Sequence, residues 1–554
     1  MEQPREMERA AQMFPKLTAA QIERISTIGR RRDVRAGEVL FDVGDQNTAF
    51  FVVVSGAIEV VRQIGDREEP VIDHRPGEFT GEINMLSARR SLVRGRAAAD
   101  GAVIAVDRDD LRALVQRDSE LSEVLMRAFI LRRMGLLNQL TNDMILLGSR
   151  HSSSTQRIRE FLSRNGQPFT YQDVETDPSV QVLLDRFQVG VDEVPVIVCQ
   201  GGHVLKNPTI EMLASAAGLS PEIDGTKLRD IVIVGGGPAG LAAAVYGASE
   251  GLDVLVVETT APGGQAGTSS RIENYLGFPT GISGQALAGR ALTQAEKFGA
   301  EVAIGRTISR LDCDSRPYRL YLSDGQVIRT RAIIIATGAK YRKLDVPSFE
   351  RFENAGVYYC ATYLESQSCK GEEIAIVGGA NSAGQAAVFL SGFATRVHML
   401  VRGPTLSNSM SRYLIQRIES TPNIVLRTRT QVEALEGERG LERVVWRHVD
   451  SGDRETHKIR NLFLMTGADP NTGWLAGCLR LDDKKFVKTG ADLLPEDLAG
   501  AGWALPRRPY LMETSIPGVF CVGDARSASV KRIASAVGEG SISIQLVHRA
   551  LTEL

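Results

Sequence analysis

A glycine turn between a short apolar run and a small-residue helix occurs twice in this chain, and this repeat limits the fold more than any other feature. Ile231–Gly240 reads IVIVGGGPAG, and Ile374–Ala383 reads IAIVGGANSA. An apolar run of this kind suits a parallel strand covered on both faces. Gly235, Gly237 and Gly240 allow a tight turn and the close approach of a pyrophosphate to a helix N-terminus. The next apolar run ends on Glu258, placed to accept from an adenosine ribose hydroxyl. Strand, turn, helix, strand and acid in register predict a dinucleotide-binding unit.

The second copy keeps Gly378 and Gly379, has Ala380 at the middle position, and opens its helix with Ser382 and Ala383. Arg402 lies 24 positions after Gly378, against 23 from Gly235 to Glu258. An acid there selects NAD, whereas an arginine can hold the 2′-phosphate of NADP. The expected donor is therefore NADPH, with Arg412 assisting. The plainer reading of Arg402 is a solvated strand end.

At 554 residues the chain has room for about three or four domains. A net charge of -2 gives no field for nucleic acid or an anionic membrane. No apolar run is long enough to cross a bilayer, and the N-terminal MEQPREMERA has no apolar signal core. Six cysteines do not make a disulfide framework. The expectation is a cytoplasmic protein without metal, in which redox cysteines are catalytic or sensing.

Residues 34–62 alternate in β-rich runs broken by Gly37, Gly44 and Gly56, predicting a small antiparallel barrel. A helical run follows from Arg108 to about Arg133. Residues 15–135 resemble the cyclic nucleotide-binding domain, within a unit of 1–140. Gly81-Glu82 and Arg90-Ser91 match the ends of that family's phosphate cassette, one residue short between them. The resemblance implies that Glu82 accepts from a ribose and that Arg90 holds a cyclic phosphate, with Arg89 and Arg94 as rivals. The alternative is a packing or dimerisation module with solvated arginines.

Residues 141–222 read strand, helix, strand, helix near Ser179–Phe187, and hairpin. This order resembles the glutaredoxin-like thioredoxin fold, with Val194-Pro195 where that family has a cis-proline. The loop that should carry Cys-x-x-Cys is Ser149 to Thr155 and has no cysteine. Serine supplies neither thiolate nor disulfide, so the unit is expected to be a docking platform or a spacer. Cys199 reads as a small buried hydrophobe, and Gly218 to Lys227 as a linker.

Pro262-Gly263-Gly264-Gln265 can pass beside an isoalloxazine. Gly523-Asp524 can place a carboxylate on a ribityl hydroxyl, and Arg532 precedes a helix from about Ile533 that aims its N-terminus at the flavin. The order GGGPAG, GGQ, ATG, CAT, VGGANSA, GxxPNT, GVFCVGD resembles the low-molecular-weight thioredoxin reductases. The resemblance implies an α/β multidomain chain. It would hold a β-barrel cyclic nucleotide-binding-like domain, a thioredoxin-fold domain, and two Rossmann-like domains of pyridine nucleotide-disulfide oxidoreductase type. FAD would bind non-covalently to 228–343 plus 461–554, NADPH to 344–460. A homodimer, a rotating NADPH domain, and hydride transfer from NADPH to FAD are also implied.

That family's redox pair is Cys-Ala-Thr-Cys, but here Cys360-Ala361-Thr362 is followed by Tyr363, whose ring would pack on the flavin. Cys369 is the remaining partner. If 361–369 is helical, the two cysteines lie about 13 Å apart along the axis, too far for a bridge. Three readings stay open: a Cys360–Cys369 disulfide, a single reactive Cys360, or two packing residues in a flavoprotein that reduces another acceptor. Glu365 is a proton donor or, more simply, an exposed helix glutamate. Cys313, Cys478 and Cys521 read as structural. The expected function is an FAD-dependent NADPH oxidoreductase of thioredoxin reductase type, delivering electrons to a disulfide, a thioredoxin-like protein or another acceptor, under cyclic nucleotide control. The alternatives are a slow flavin-bearing redox or nucleotide sensor, and a dithiol-independent flavin reductase or NADPH oxidase.

Overall fold

The computed structural model describes residues 12–553 apart from 46–47, 65–66, 82–84, 86–90, 92, 140–143, 151, 176–179, 181–183, 185–188, 191–192, 200–202, 270, 273, 348, 354, 360, 362, 439 and 476. Glu82, Arg89, Arg90 and Cys360, and most of the helix expected near 179–187, therefore lie outside the described residues.

Helix α1 spans Ala19–Ser26, and its Thr18 cap forms a reciprocal box with Gln21. Strands β1 (Arg30–Val34), β2 (Val39–Phe41), β3 (Phe50–Ile64), β4 (Arg67–His74) and β5 (Arg94–Val106) follow. They pair antiparallel in the order β1-β5-β3-β4, with β2 also on β5. This is an open path rather than the expected closed barrel, and no ring closure occurs among the described residues. The expected helix from Arg108 is two helices, α2 (Arg108–Arg117) and α3 (Ser119–Gln139). Asp118 breaks the run and caps the second helix by accepting from the Leu121 N–H at 3.0 Å.

The next unit has β6 (Met144–Gly148), α4 (Ser153–Arg164), β7 (Thr170–Asp173), β8 (Val196–Cys199), β9 (Val204–Lys206) and α5 (Ile210–Ala216). Its sheet runs β7-β6-β8-β9, with β6 parallel to β7 and antiparallel to β8. The Val194-Pro195 bond is cis. The unit does not stand apart. Phe161, Leu162, Ile197 and Leu213 share one buried cluster with Ile231, Val256 and Ile304 of the following sheet. Burying each such side chain contributes about 1.5–3 kcal/mol. In the stretch read as a linker, Leu219 and Ile223 are buried and anchor it to the core, while 224–227 are exposed.

The largest sheet follows β10 (Leu228–Val234), α6 (Pro238–Ser249), β11 (Val254–Glu258), α7 (Gly284–Lys297), β12 (Glu301–Ile304), β13 (Ile308–Asp312), β14 (Tyr318–Leu322) and β15 (Val327–Ile335). Its order is β12-β11-β10-β15-β14-β13. A thin ribbon of β16 (Ala339–Tyr341), paired with a later strand over 468–470, leads to and from a second domain. That domain carries β17 (Val357–Tyr358), α8 (Tyr363–Ser368), β18 (Glu373–Val377), α9 (Asn381–Leu390), β19 (Arg396–Val401), α10 (Arg412–Glu419) and β20 (Ile424–Thr428). A three-stranded antiparallel layer of β21 (Thr430–Glu436), β22 (Arg443–His448) and β23 (Arg454–His457) lies beside it. β24 (Leu462–Leu464) closes its sheet in the order β17-β24-β18-β19-β20, and the ribbon's second strand β25 (Ala468–Pro470) returns. β26 (Val519–Cys521) then adds to β15, and α11 (Ile533–Glu553) ends the chain.

Candidate active site

The two glycine turns sit where a parallel strand feeds a helix, as their sequence predicts. In the first, Gly235 has φ +108, and a Cβ there would lie 2.4 Å from the Ala336 carbonyl oxygen. Gly240 packs its α-carbon against the Gly235 carbonyl, where a Cβ would come within 1.9 Å. Gly237 is different: a Cβ there meets no atom within 4 Å. Glycine at 237 is therefore not demanded by the protein, and what it leaves clear is the approach to the N-terminus of α6. Glu258 is buried at the end of β11 and accepts from the Gly236 N–H at 2.6 Å and the Thr260 N–H at 2.8 Å. The loop beyond it lies on the turn. Gly263 N–H donates to the Gly236 carbonyl at 2.7 Å, a Cβ on Gly264 would lie 3.2 Å from the Gly237 α-carbon, and the Gln265 amide donates to the Ala339 carbonyl.

Gly523-Asp524 arrives at the same place from the far end of the sequence. A Cβ on Gly523 would be 3.0 Å from Ala239 Cβ, and one on Gly540 would be 2.1 Å from the Ala239 carbonyl oxygen. The absence of those side chains lets α11 cross α6 closely. Gly523 N–H donates to Glu539 at 2.7 Å, and Glu539 pairs with Arg526 at 2.6 Å. The Asp524 carboxyl has no hydrogen-bond partner among the described residues, and burial pushes it above the usual carboxylate range. A desolvated acid without a donor suits a bound hydroxyl. Arg532 lies exposed just before α11.

The second turn is built alike. Gly378 has φ +145 and no room for a Cβ, which would fall 2.4 Å from the Met465 carbonyl oxygen. Ala380 caps α9 at φ -101, ordinary extended backbone, so its methyl is tolerated where the first turn has Gly237. Ser382 is exposed and Ala383 buried. Asn381 accepts from the Ser411 N–H at 2.7 Å, and Ser409 donates to the Gly379 carbonyl at 2.7 Å, tying the start of α10 to the turn. Arg402, one residue beyond β19, and Arg412, the first of α10, are both exposed, and no described residue pairs with either. The residues thus fit a dinucleotide at each turn, with two uncommitted cations beside the second.

Residues 229–540 match the Pyridine nucleotide-disulphide oxidoreductase family, more than half of the chain. The chain belongs to that family. Residues 31–118 match the Cyclic nucleotide-binding domain. The chain is 31% identical over 369 residues to NADPH-dependent thioredoxin reductase 3 of Arabidopsis thaliana, covering 64% of this chain and 66% of that one. It is 30% identical to the thioredoxin reductase of Bacillus subtilis, over 59% of this chain and 96% of that protein. The solved thioredoxin reductase of Lactococcus lactis superposes with TM-score 0.52 at 29% identity, over 59% of this chain and all of that one. The protein is an oxidoreductase of thioredoxin reductase type, a class that uses FAD and NADPH.

Against that family, the thiol centre departs. Residues 363–368 are helical and Cys369, in the turn after them, is a free thiol, while Cys360 lies outside the described residues. It is 0% exposed and donates to the Glu365 carbonyl at 3.3 Å. It packs with Ala361, Ile374 and Ile376 inside the second domain. Burial, with Glu365 and Glu372 nearby, pushes its pKa up to about 12, so it carries no thiolate at neutral pH. Tyr363 is 67% exposed, its ring edge-on to Phe393. Glu365 is 9% exposed and so buried, contrary to the expectation of a solvent-facing residue. The described cysteines hold one bridge the sequence did not disclose: Cys313 and Cys478 are joined, with Cα atoms 5.9 Å apart. No local spacing marks a pair 165 residues apart.

The unit of β6–β9, α4 and α5 also reaches this site. At the end of α4, Arg164 donates to the Gly264 carbonyl at 2.8 Å and Asn165 to the Thr260 carbonyl at 3.0 Å. Both grip the loop that covers the first turn. In the N-terminal domain Gly81 has φ +107, and its carbonyl and that of Phe79 accept from buried Arg132 at 3.0 and 2.9 Å. Ser91 donates to the Val93 carbonyl, while Arg94 is committed to Asp42 at 2.7 Å and Glu68 at 2.8 Å. Arg94 is therefore a poor rival for a phosphate. Glu373, His398 and His457 bring donor atoms within 4.8 Å of one another. Arg427 donates to His398 Nδ1 at 3.2 Å and Arg396 pairs with Glu373 at 3.1 Å, so arginines supply the positive charge at this sheet edge.

Proposed function

We propose that this enzyme binds FAD at the first turn and NADPH at the second, and reduces its acceptor without a Cys360–Cys369 disulfide. The observation that carries this is the pairing of two intact glycine turns with a Cys369 that is buried, protonated and held in the turn after α8. Gly235, Gly237 and Gly240 admit the FAD pyrophosphate, Glu258 takes the ribose, and Asp524 receives a ribityl hydroxyl. Gly264, Gln265, Gly523 and Arg532 line the approach. Gly378, Gly379, Ser382 and Ala383 form the NADPH turn, and Arg402 with Arg412 takes the 2′-phosphate. When bound, FAD supplies hydride acceptance from NADPH and onward electron transfer. The flavin unit comprises 228–343 and 461–554 and the NADPH unit 344–460. Cys360, at the family position, is the sulfur available for a mixed disulfide with a redox protein.

Residues 1–140 serve as the sensor, taking a cyclic nucleotide through Gly81, Glu82, Arg90 and Ser91. Residues 141–222 keep a thioredoxin-like fold as support for the flavin loop. A cytoplasmic homodimer is the expected form. The test is anaerobic titration of the holoprotein with NADPH, followed by alkylation and peptide mass mapping. The flavin should bleach at lower NADPH than NADH, with no gain of label at Cys369. Failure of NADPH to bleach the flavin sinks the reading, and paired new label at Cys360 and Cys369 restores the disulfide mechanism.

A further inference from the structure

We propose that Cys313 and Cys478 are a reversible thiol–disulfide site for dithiols, and that their bond fastens the foot of the interdomain ribbon to the flavin-domain sheet. Cys313 is the residue after β13, and Cys478 follows the 3-10 turn Gly473–Leu475. Their Cα separation of 5.9 Å lies within the roughly 4.4–6.8 Å that bridged cysteines adopt. The bridge closes 165 residues, including the whole inserted domain and both strands of the ribbon. It joins the two separate stretches of chain that make up the flavin unit. The site does not depend on which acceptor the flavin serves.

Three observations make the pair a site. First, both residues are half-buried, whereas Cys369 and Cys521 are fully buried. An incoming thiolate therefore has access to this pair and not to those. Second, packing holds the partners in place without the bond. Leu475 and Leu479 are buried in one cluster with Ile308, Leu311 and Tyr318, and Cys478 N–H donates to the Leu475 carbonyl at 3.0 Å. Oxidation needs no rearrangement, and reduction leaves the thiols facing each other. Third, the bridge is close in sequence to a clasp on the ribbon. The Asn471 amide donates to the Thr337 carbonyl at 3.0 Å, the Thr337 hydroxyl returns to the Asn471 carbonyl at 2.9 Å, and Trp474 donates to that same carbonyl at 3.1 Å.

The exchange balances with one dithiol. A thiolate of R(SH)2 attacks one protein sulfur, the S–S bond breaks, and the other cysteine leaves as a thiolate and takes a proton. The second thiol of R then closes on the mixed disulfide and releases the remaining cysteine. Two protein thiols and one cyclic disulfide of R result, and the reverse reaction remakes the bridge. Disulfides in reducing compartments are chiefly of this transient or sensing kind.

The holoprotein, equilibrated across ratios of oxidised to reduced dithiothreitol, quenched with acid, alkylated and peptide-mapped, should show Cys313 and Cys478 gaining label together in one transition. Flavin-release melting should shift down by about 5–15 °C on reduction, from the size of the closed loop and of the domain. Variants C313S and C478A should melt alike with and without reductant. Label on either cysteine before reduction, or on one without the other, overturns the site. Joint labelling without a change in melting overturns its fastening role. The wild-type measurements decide both points even if the variants do not fold.

Discussion

His74 is a buried side chain through which the stability of the N-terminal domain should depend on pH. It is 2% exposed, its Nδ1 makes no hydrogen bond, and the Glu78 carboxylate stands 4.0 Å away. Burial, with the Arg132 guanidinium nearby, lowers its pKa from 6.5 to about 3. Above pH 6.5 neither folded nor unfolded chain holds a proton there. Below it the unfolded chain binds one that the folded domain refuses, so stability falls as pH drops from 6.5 towards 3, by up to about 1.4 kcal/mol per unit. The N-terminal domain should be about 2 kcal/mol weaker at pH 5 than at pH 7.5, read by urea melts with hydrogen-exchange mass spectrometry. His74→Phe should remove most of that difference, and an unaltered slope in the variant would exclude His74 as the source. At the second turn, Arg402→Ala should raise the KM for NADPH about tenfold and leave that for NADH nearly unchanged, since a charge-assisted contact is worth about 1.5–3 kcal/mol. Equal effects on both nucleotides would mean that Arg402 does not read the 2′-phosphate.

Among the elements, α4 has acquired a task that its own sequence does not advertise. Its N-terminal loop lacks cysteines, yet its C-terminal Arg164 and Asn165 hold the Thr260 and Gly264 carbonyls over the first turn. Arg164→Met keeps the aliphatic stem and removes the donor. The flavin dissociation constant should rise, at most about 10–100-fold if the whole contact of 1.5–3 kcal/mol is transmitted to the ligand. Flavin retention unchanged on dialysis would show that the loop is held without α4. The turns themselves were legible from sequence because their glycines answer to local geometry: Gly235 and Gly378 take positive φ against a carbonyl oxygen, and only one residue type does that without strain. The grip of α4 was not legible. Apolar periodicity says that Phe161 and Leu162 face a core, but not that the core belongs partly to another unit. Likewise, nothing near Cys313 or Cys478 announces the other, and the fate of Cys369 depended on whether 363–368 is helical, which a six-residue segment cannot declare by periodicity.

Across the whole molecule, α7 is the element that links the N-terminal domain to the loop over the first glycine turn. Its 14 residues make a rod about 21 Å long. Near its C-terminal end it meets α2 of the N-terminal domain, where Gln116 donates to the Lys297 carbonyl at 3.4 Å and Arg112 lies in the field of Glu296 and Glu301. Near its N-terminal end Ala288 packs so closely on the loop over the first turn that a Cβ on Gly263 would lie 2.4 Å from it. Arg132 in turn joins the carbonyls of Phe79 and Gly81 to α3, next in the chain after α2. A ligand shifts such a system only by binding its states unequally, and the effect must be reciprocal. If cAMP or cGMP binds with measurable heat, it should change the affinity of the holoprotein for NADPH about fivefold or more, and NADPH should change nucleotide affinity by the same factor. Arg112→Met, which removes a charge at the α2–α7 contact and lies outside both nucleotide sites, should keep the binding heat and abolish the reciprocal shift. Heat without any shift in the unmodified protein would make the N-terminal domain a ligand-binding module uncoupled from the reductase, and absence of heat for both nucleotides would leave it a packing module.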